Sequence, residues 1–358
     1  WFFAGTNKDL SGGSNTFTEL KFSPNTTSNR YANFWIYNDQ TITGTLTFNA
    51  SGTASTRGAL AAGQLSGAYK KSPVTLTCAA VSAPSDFDFQ NIVIAGAAIS
   101  GGNVTGTRLG DSGGNSGITF ETPKTVYWNR AAGGAINTSN SWALTSGGTA
   151  DSNNFPLPQD TGVFENTGLN SGATITTVSN MALGGIDMSA RTLPMTLSAG
   201  TTNYVFGDWV NGSGTTLSGT GAFVFSGIGF NTSITGAGKT FSQRFTVERP
   251  FGSLTLLDAV TLSSTSSVAL ILYSGTLNLS AYTLSVAGGF STTSTGTNPV
   301  STQNTVFNPR TLAIGSGTLS LGASFAVSNS FELTFTGTGT ISMTSSAIKN
   351  FVGGSSDF

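Results

Sequence analysis

A short phrase, Gly-Thr/Ser-Leu or a close variant followed by alternating apolar and hydroxyl residues, returns along this chain at intervals of about 22 residues. It begins at Gly252, Gly275, Gly317 and Gly339, with looser versions at Gly44 and Gly221. A recurrence of that length means a unit too small to bury its own apolar face, which must lie against copies of itself. The distance from 275 to 317 reads as two units. Alternation with period two dominates, as in the run from Thr41 to Phe48 and in Glu332-Leu-Thr-Phe-Thr, and helical stripes are nearly absent. Pairs such as Gly101-Gly102, Gly184-Gly185, Asn211-Gly212 and Gly288-Gly289 supply sharp corners between the runs.

The pattern predicts an all-β chain, a right-handed parallel β-helix (β-solenoid) with Gly-rich corners and loop insertions. Stacked like residues would form ladders from coil to coil. At a strand spacing of about 4.8 Å, sixteen coils in one continuous column would make a rod of roughly 75 Å. Residues 1–122 are expected to form an N-terminal β-helical segment, with a loop thrown out near 50–74 that carries Arg57, Lys70 and Lys71. Residues 123–168 read as a Trp-containing connecting or capping passage, and 169–358 as a C-terminal β-helix. The polar segment 291–304 reads as another surface excursion.

Charge is the compositional anomaly. Asp, Glu, Lys and Arg make up 9% of the 358 residues and the net charge is −1, against roughly a quarter in ordinary soluble domains. Nucleic acid is held mainly by clustered Lys and Arg, so that partner is not expected. No apolar run is long enough to span a membrane, and no charged-then-apolar signal opens the sequence. The single cysteine, Cys78, excludes an internal disulfide and sits in an alternating run that predicts a buried strand residue. With no histidine in the chain, stability should be nearly flat between about pH 6 and 8.

Several signatures point to chemistry. Gly110-Asp-Ser-Gly-Gly spells the surroundings of a serine protease nucleophile, but without an imidazole no base of matched pKa exists; a tight corner with Asp111 bonded to nearby backbone N–H groups is expected instead. Gly236-Ala-Gly-Lys-Thr resembles the end of a P-loop, yet it lacks the first glycine and leads into a strand pattern. Asp86-Phe-Asp88-Phe sets two carboxylates on one face of a strand and two rings on the other. Three readings stay open for Asp86 and Asp88: a Ca²⁺ site, the acid and base of a glycosidase, or a solvated outer face above an anchored Phe pair. Asp160, Glu165, Asp187, Asp208 and Asp258 could also align on one face of a solenoid. Trp128, Trp142 and Trp209 are candidate glycan platforms, since an indole pairs an apolar face with a polar tip, or else core residues.

The passage Gly110-Asp-Ser-Gly-Gly-Asn-Ser-Gly-Ile-Thr-Phe, with Lys124-Thr-Val-Tyr-Trp, Ser139-Asn-Ser-Trp, Ser146-Gly-Gly and Leu157-Pro-Gln-Asp after it, resembles a pattern in tail proteins of tailed bacteriophages. Asp86-Phe-Asp-Phe-Gln-Asn-Ile is similar to what precedes it there, and Gly275-Thr-Leu-Asn-Leu-Ser-Ala-Tyr-Thr-Leu resembles coils of β-helical surface proteins. The resemblance covers about 75–164. It implies a virion-borne, outward-facing tail fibre or spike component, often trimeric, that meets other virion proteins and a host-surface glycan or receptor. Where relatives carry Cys in the Gly-rich corner this chain has Ser112, so no thiol role carries over. The alternatives are a tailspike-type polysaccharide-cleaving enzyme, a hydrolase or lyase using paired carboxylates, and a bacterial surface adhesin.

Overall fold

A computed structural model of the chain describes residues 2–5, 8–24, 34–48, 57–62, 73–292, 310–327, 333–344 and the backbone of 351–352. Lys70, Lys71 and residues 293–304 lie outside the described residues. Strands and turns account for nearly everything, and the helical content among the described residues is two 3₁₀ turns, Ala97–Ile99 and Ser152–Asn154. The strands pair in parallel, coil upon coil, as a β-solenoid of about 13 turns. Among the described strands one antiparallel ladder occurs, between Thr125–Trp128 and Trp142–Ala143.

The coils form two stacks rather than one column. Strands from Phe2–Gly5 to Gly110–Asp111 share two sheets, and strands from Thr125–Trp128 onward share three others. Each stack closes its own core. Phe22, Phe34, Phe48, Phe87, Phe89, Ile92 and Leu109 fill the first, and a longer apolar series from Val126 to Leu333 fills the second. Alternation explains both: in Arg310–Gly315 and Thr318–Leu321 every second side chain turns inward and the hydroxyls between them turn out. Each fully buried Leu, Ile or Phe contributes about 1.5–3 kcal/mol, so the stack is stabilised by repetition.

A third, smaller apolar group joins the stacks. Ala61 of the first packs with Ala182 and Phe206 of the second, and Trp35, Tyr204 and Phe230 lie against them. Gly113 and Ile228 make a lone parallel bridge across the same seam. This lateral packing corrects the expected single rod. Repetition makes an open-ended column, but the turn after residue 120 lets two shorter columns bury outer faces against each other.

Two further expectations are revised. The loop near 50–74 contains a coil strand, Gly58–Ala62, paired between Phe34–Ile36 and Phe87–Gln90. All five of its residues are buried because one face meets the core and the other meets the second stack. Likewise, 275 to 317 is not two units. Gly275 aligns with Arg310 and Thr283 with Thr318, so one coil lengthened by an insertion separates them. The phrases at Gly252 and Gly275 lie on one wall, those at Gly317 and Gly339 on another.

The second stack starts under aromatic cover. Trp128 and Trp142 meet edge to face at 5.4 Å, and Phe164 lies 5.7 and 5.3 Å from them. Strand Trp142–Ala143 runs antiparallel along the sheet margin, which occupies backbone groups that would otherwise template another chain.

Candidate functional site

Asp86 and Asp88 are brought together, but inside the protein. Both are buried, so the solvated-face reading is corrected. Arg108 grips Asp86 with two bonds, Nε to Oδ1 at 2.7 Å and a terminal nitrogen to Oδ2 at 2.6 Å. Arg57 donates Nε to Asp88 Oδ1 at 2.8 Å and stands 3.5 Å from Asp86. The guanidinium groups occupy the places a Ca²⁺ ion or a sugar would need. Burial pushes the Asp88 carboxyl above its ordinary range, with Arg57 opposing the shift, and its buried Oδ2 accepts no hydrogen bond from the described residues.

The protease-like corner closes this cluster. A Cβ on Gly110 would stand 1.8 Å from Asp88 Oδ1 and 2.8 Å from Pro158, so only glycine lets the second stack seal the carboxylate. At Gly113, φ is 92° and a Cβ would strike the Ile228 backbone. Asp111 Oδ1 accepts from the Gly113 N–H at 2.9 Å, as the corner reading expected. The P-loop-like corner is similar. Asp258 accepts from the N–H groups of Gly236 and Ala237 at 2.6 and 2.7 Å, taking the donors a phosphate would use, and strand Thr240–Phe241 follows.

The scattered acids serve their own corners instead of converging. Asp160 accepts from Leu157 and Lys124 N–H groups, Asp187 from Ser189, Asp208 from Ser233, and Glu165 from the Ser146 hydroxyl. Burial raises the Asp160 carboxyl despite those bonds. Among the described residues no group of three or more His, Cys, Asp or Glu is placed to hold a metal. Cys78 is buried, and burial pushes its thiol up to about 12.

Trp128, Trp142 and Trp209 do not face solvent. They are 1%, 1% and 0% exposed, which removes them as sugar platforms. Their indole N–H groups are used internally, Trp128 to the Arg130 carbonyl, Trp142 to the Ile136 carbonyl and Trp209 to Asn211 Oδ1. A tryptophan in an alternating strand gives no sign of which way it points when both faces of the sheet can be covered.

Phe2 and Tyr282 are exposed aromatics, and so is Phe251, which the sequence reading passed over. It is 55% exposed and has φ of 61°, an outlier for a bulky residue. Within strand Arg244–Leu256 the outward positions after it are Ser253 and Thr255. Coil stacking extends these into polar columns. Asn231, Ser253, Thr276, Thr311 and Thr334 stand in one register, and Ser233, Thr255 and Asn278 in the next. Ser253 Oγ and Asn231 Oδ1 are 3.0 Å apart. The arrangement is a flat wall of hydroxyls and amides with a ring at its margin, able to stack on an apolar sugar face and bond to its hydroxyls.

This class of protein is defined by its fold, a parallel β-solenoid in two packed stacks. No family model, no curated protein and no solved structure matches the chain.

Proposed function

We propose that the chain is a structural, adhesive component of a phage tail fibre or spike, which holds host-surface glycan against the wall headed by Phe251. The appendage setting rests on the sequence resemblance over 75–164. The surface chemistry supports the glycan. The observation that carries the reading is Phe251 itself, an exposed ring kept in a backbone conformation that costs about 1–3 kcal/mol. Its ring is more than half exposed, and it stands beside Asn and Ser/Thr columns that match a polyhydroxyl ligand. Rigid stacked coils with few charges suit an adhesin exposed to varied water, because little of their stability depends on screened ion pairs.

The test is retention of the purified chain on a panel of immobilised capsular polysaccharides and lipopolysaccharides. The expected result is retention on at least one, lost in Phe251→Ala while the melting temperature holds. Retention that survives Phe251→Ala unchanged, or none across bacterial glycans, would overturn the reading.

A further inference from the structure

A different wall of the second stack carries a second, more regular array. Its strands are Gly133–Ala135, Ala173–Thr176, Met195–Ser198 and Thr215–Ser218 in one sheet, then Thr240–Phe241, Val260–Leu262, Thr283–Val286, Thr318–Leu321 and Thr340–Met343 in the next. Thr174, Thr196 and Thr216 stand in register. Thr240, Thr261, Ser285, Ser320 and Ser342 stand in register after them. The Ser242 hydroxyl bonds to the Gly219 carbonyl at 2.7 Å, seating the second set on the first. All eight are exposed or half-exposed. Shorter ranks flank these: Thr176, Ser198 and Ser218 two residues after the first set, and Thr283, Thr318 and Thr340 two residues before the second, on its other side.

Two independent features separate this wall from ordinary solvated sheet. Its hydroxyls repeat in two dimensions, about 4.8 Å from coil to coil and about 6.6 Å between alternate residues of a strand. The nine strands also hold no charged residue, whereas strand Arg244–Leu256 of the neighbouring sheet carries the partly exposed Arg244. No aromatic side chain faces outward from within these strands, since Phe241 is buried, and the exposed Tyr282 stands one residue before Thr283 at the wall's margin. Threonine is stiff at χ1, which holds each hydroxyl and methyl at a fixed place. Oxygen atoms on the prism faces of ice also form a two-dimensional repeat, whose shorter spacing lies close to the coil-to-coil distance.

We infer that this wall binds ice, ordering water over the Thr/Ser ranks into the lattice of a growing crystal. Methyl groups would sit in the hollows of the lattice while hydroxyls replace lattice oxygens, and the lack of charge avoids tightly held, misaligned hydration. This goes beyond the glycan reading and uses separate residues.

The experiment is freezing-point hysteresis and ice-recrystallisation inhibition of the purified chain, with Thr196→Lys and Thr261→Lys on this wall and Thr276→Lys on the other. Circular dichroism checks that each variant folds. The expected result is faceted crystals and measurable hysteresis, reduced at least tenfold by either wall substitution and kept by Thr276→Lys. Absence of any ice activity in the unsubstituted chain overturns the inference, as does equal loss in all three folded variants. Retention on crystalline cellulose that Thr261→Lys abolishes, without ice activity, overturns it in favour of a polysaccharide.

Discussion

Arg57 and Asp88, 31 residues apart and both buried, are joined by a 2.8 Å bond between successive coils of the first stack. The pair lies where that stack meets the second, and Arg57 also reaches the Arg108 carbonyl. Arg57 thus ties two carboxylates of the next coil to a backbone oxygen of the coil after it.

Removing one partner of such a pair leaves an uncompensated buried charge. Arg57→Ala should cost about 3–5 kcal/mol, read as a lower midpoint of urea unfolding. A loss under about 1 kcal/mol would mean the cluster is open to water.

Gly110→Ala should be more damaging than a small substitution on an exposed corner. The new methyl would enter the space of Asp88 Oδ1 and press on Pro158, and overpacking of this kind costs about 1–3 kcal/mol. Thermal melting beside the open-corner control Gly101→Ala, where no atom stands within 4 Å, checks the contrast.

Asp88 and Asp160 both have carboxyls raised by burial. A carboxyl whose pKa is higher folded than unfolded takes up a proton on folding. Its contribution favours the fold fully below the ordinary value of 3.8 and is lost as the pH rises through the raised value. The melting temperature should therefore keep a stabilising component into mild acid, and Asp160→Asn should diminish it. Identical pH profiles for the two chains would contradict this account.

Trp209→Ala should cost about 3–5 kcal/mol and leave glycan retention unchanged once the protein is folded. The indole packs 4.6 Å from Phe223 and 5.9 Å from Phe241 and has no exposed face. Folded protein that loses glycan retention would return Trp209 to the binding surface.

Phe251→Gly separates binding from stability in the opposite sense. Glycine relieves the positive φ, so unfolding should move to higher denaturant by about 1 kcal/mol or stay level, while retention on glycan disappears. A clear loss of stability would show that the ring supports the fold.

The coil phrase made the solenoid legible because inward and outward positions alternate within each strand and repeat between strands. Cys78, the Asp111 corner and the strand after Gly236 followed from the same local rules. The core reading of the tryptophans agrees with their burial, but the solvated-face reading of Asp86 and Asp88 does not. Alternation tells which residues share a face, not whether that face meets water or a second stack. Arg57 was read as part of a surface loop for the same reason, since neither glycine nor alanine in Gly58–Ala62 advertises a core strand.

What the sequence determined by itself is the coil: period-two burial and glycine corners are local, and repetition multiplies them without new information. Only the tertiary structure decided that the coils split into two stacks. That arrangement sealed Asp88 beneath Gly110 and covered Ala61 with Ala182 and Phe206. These depend on contacts between residues far apart in the chain, whose energies arise from shape and desolvation at the seam.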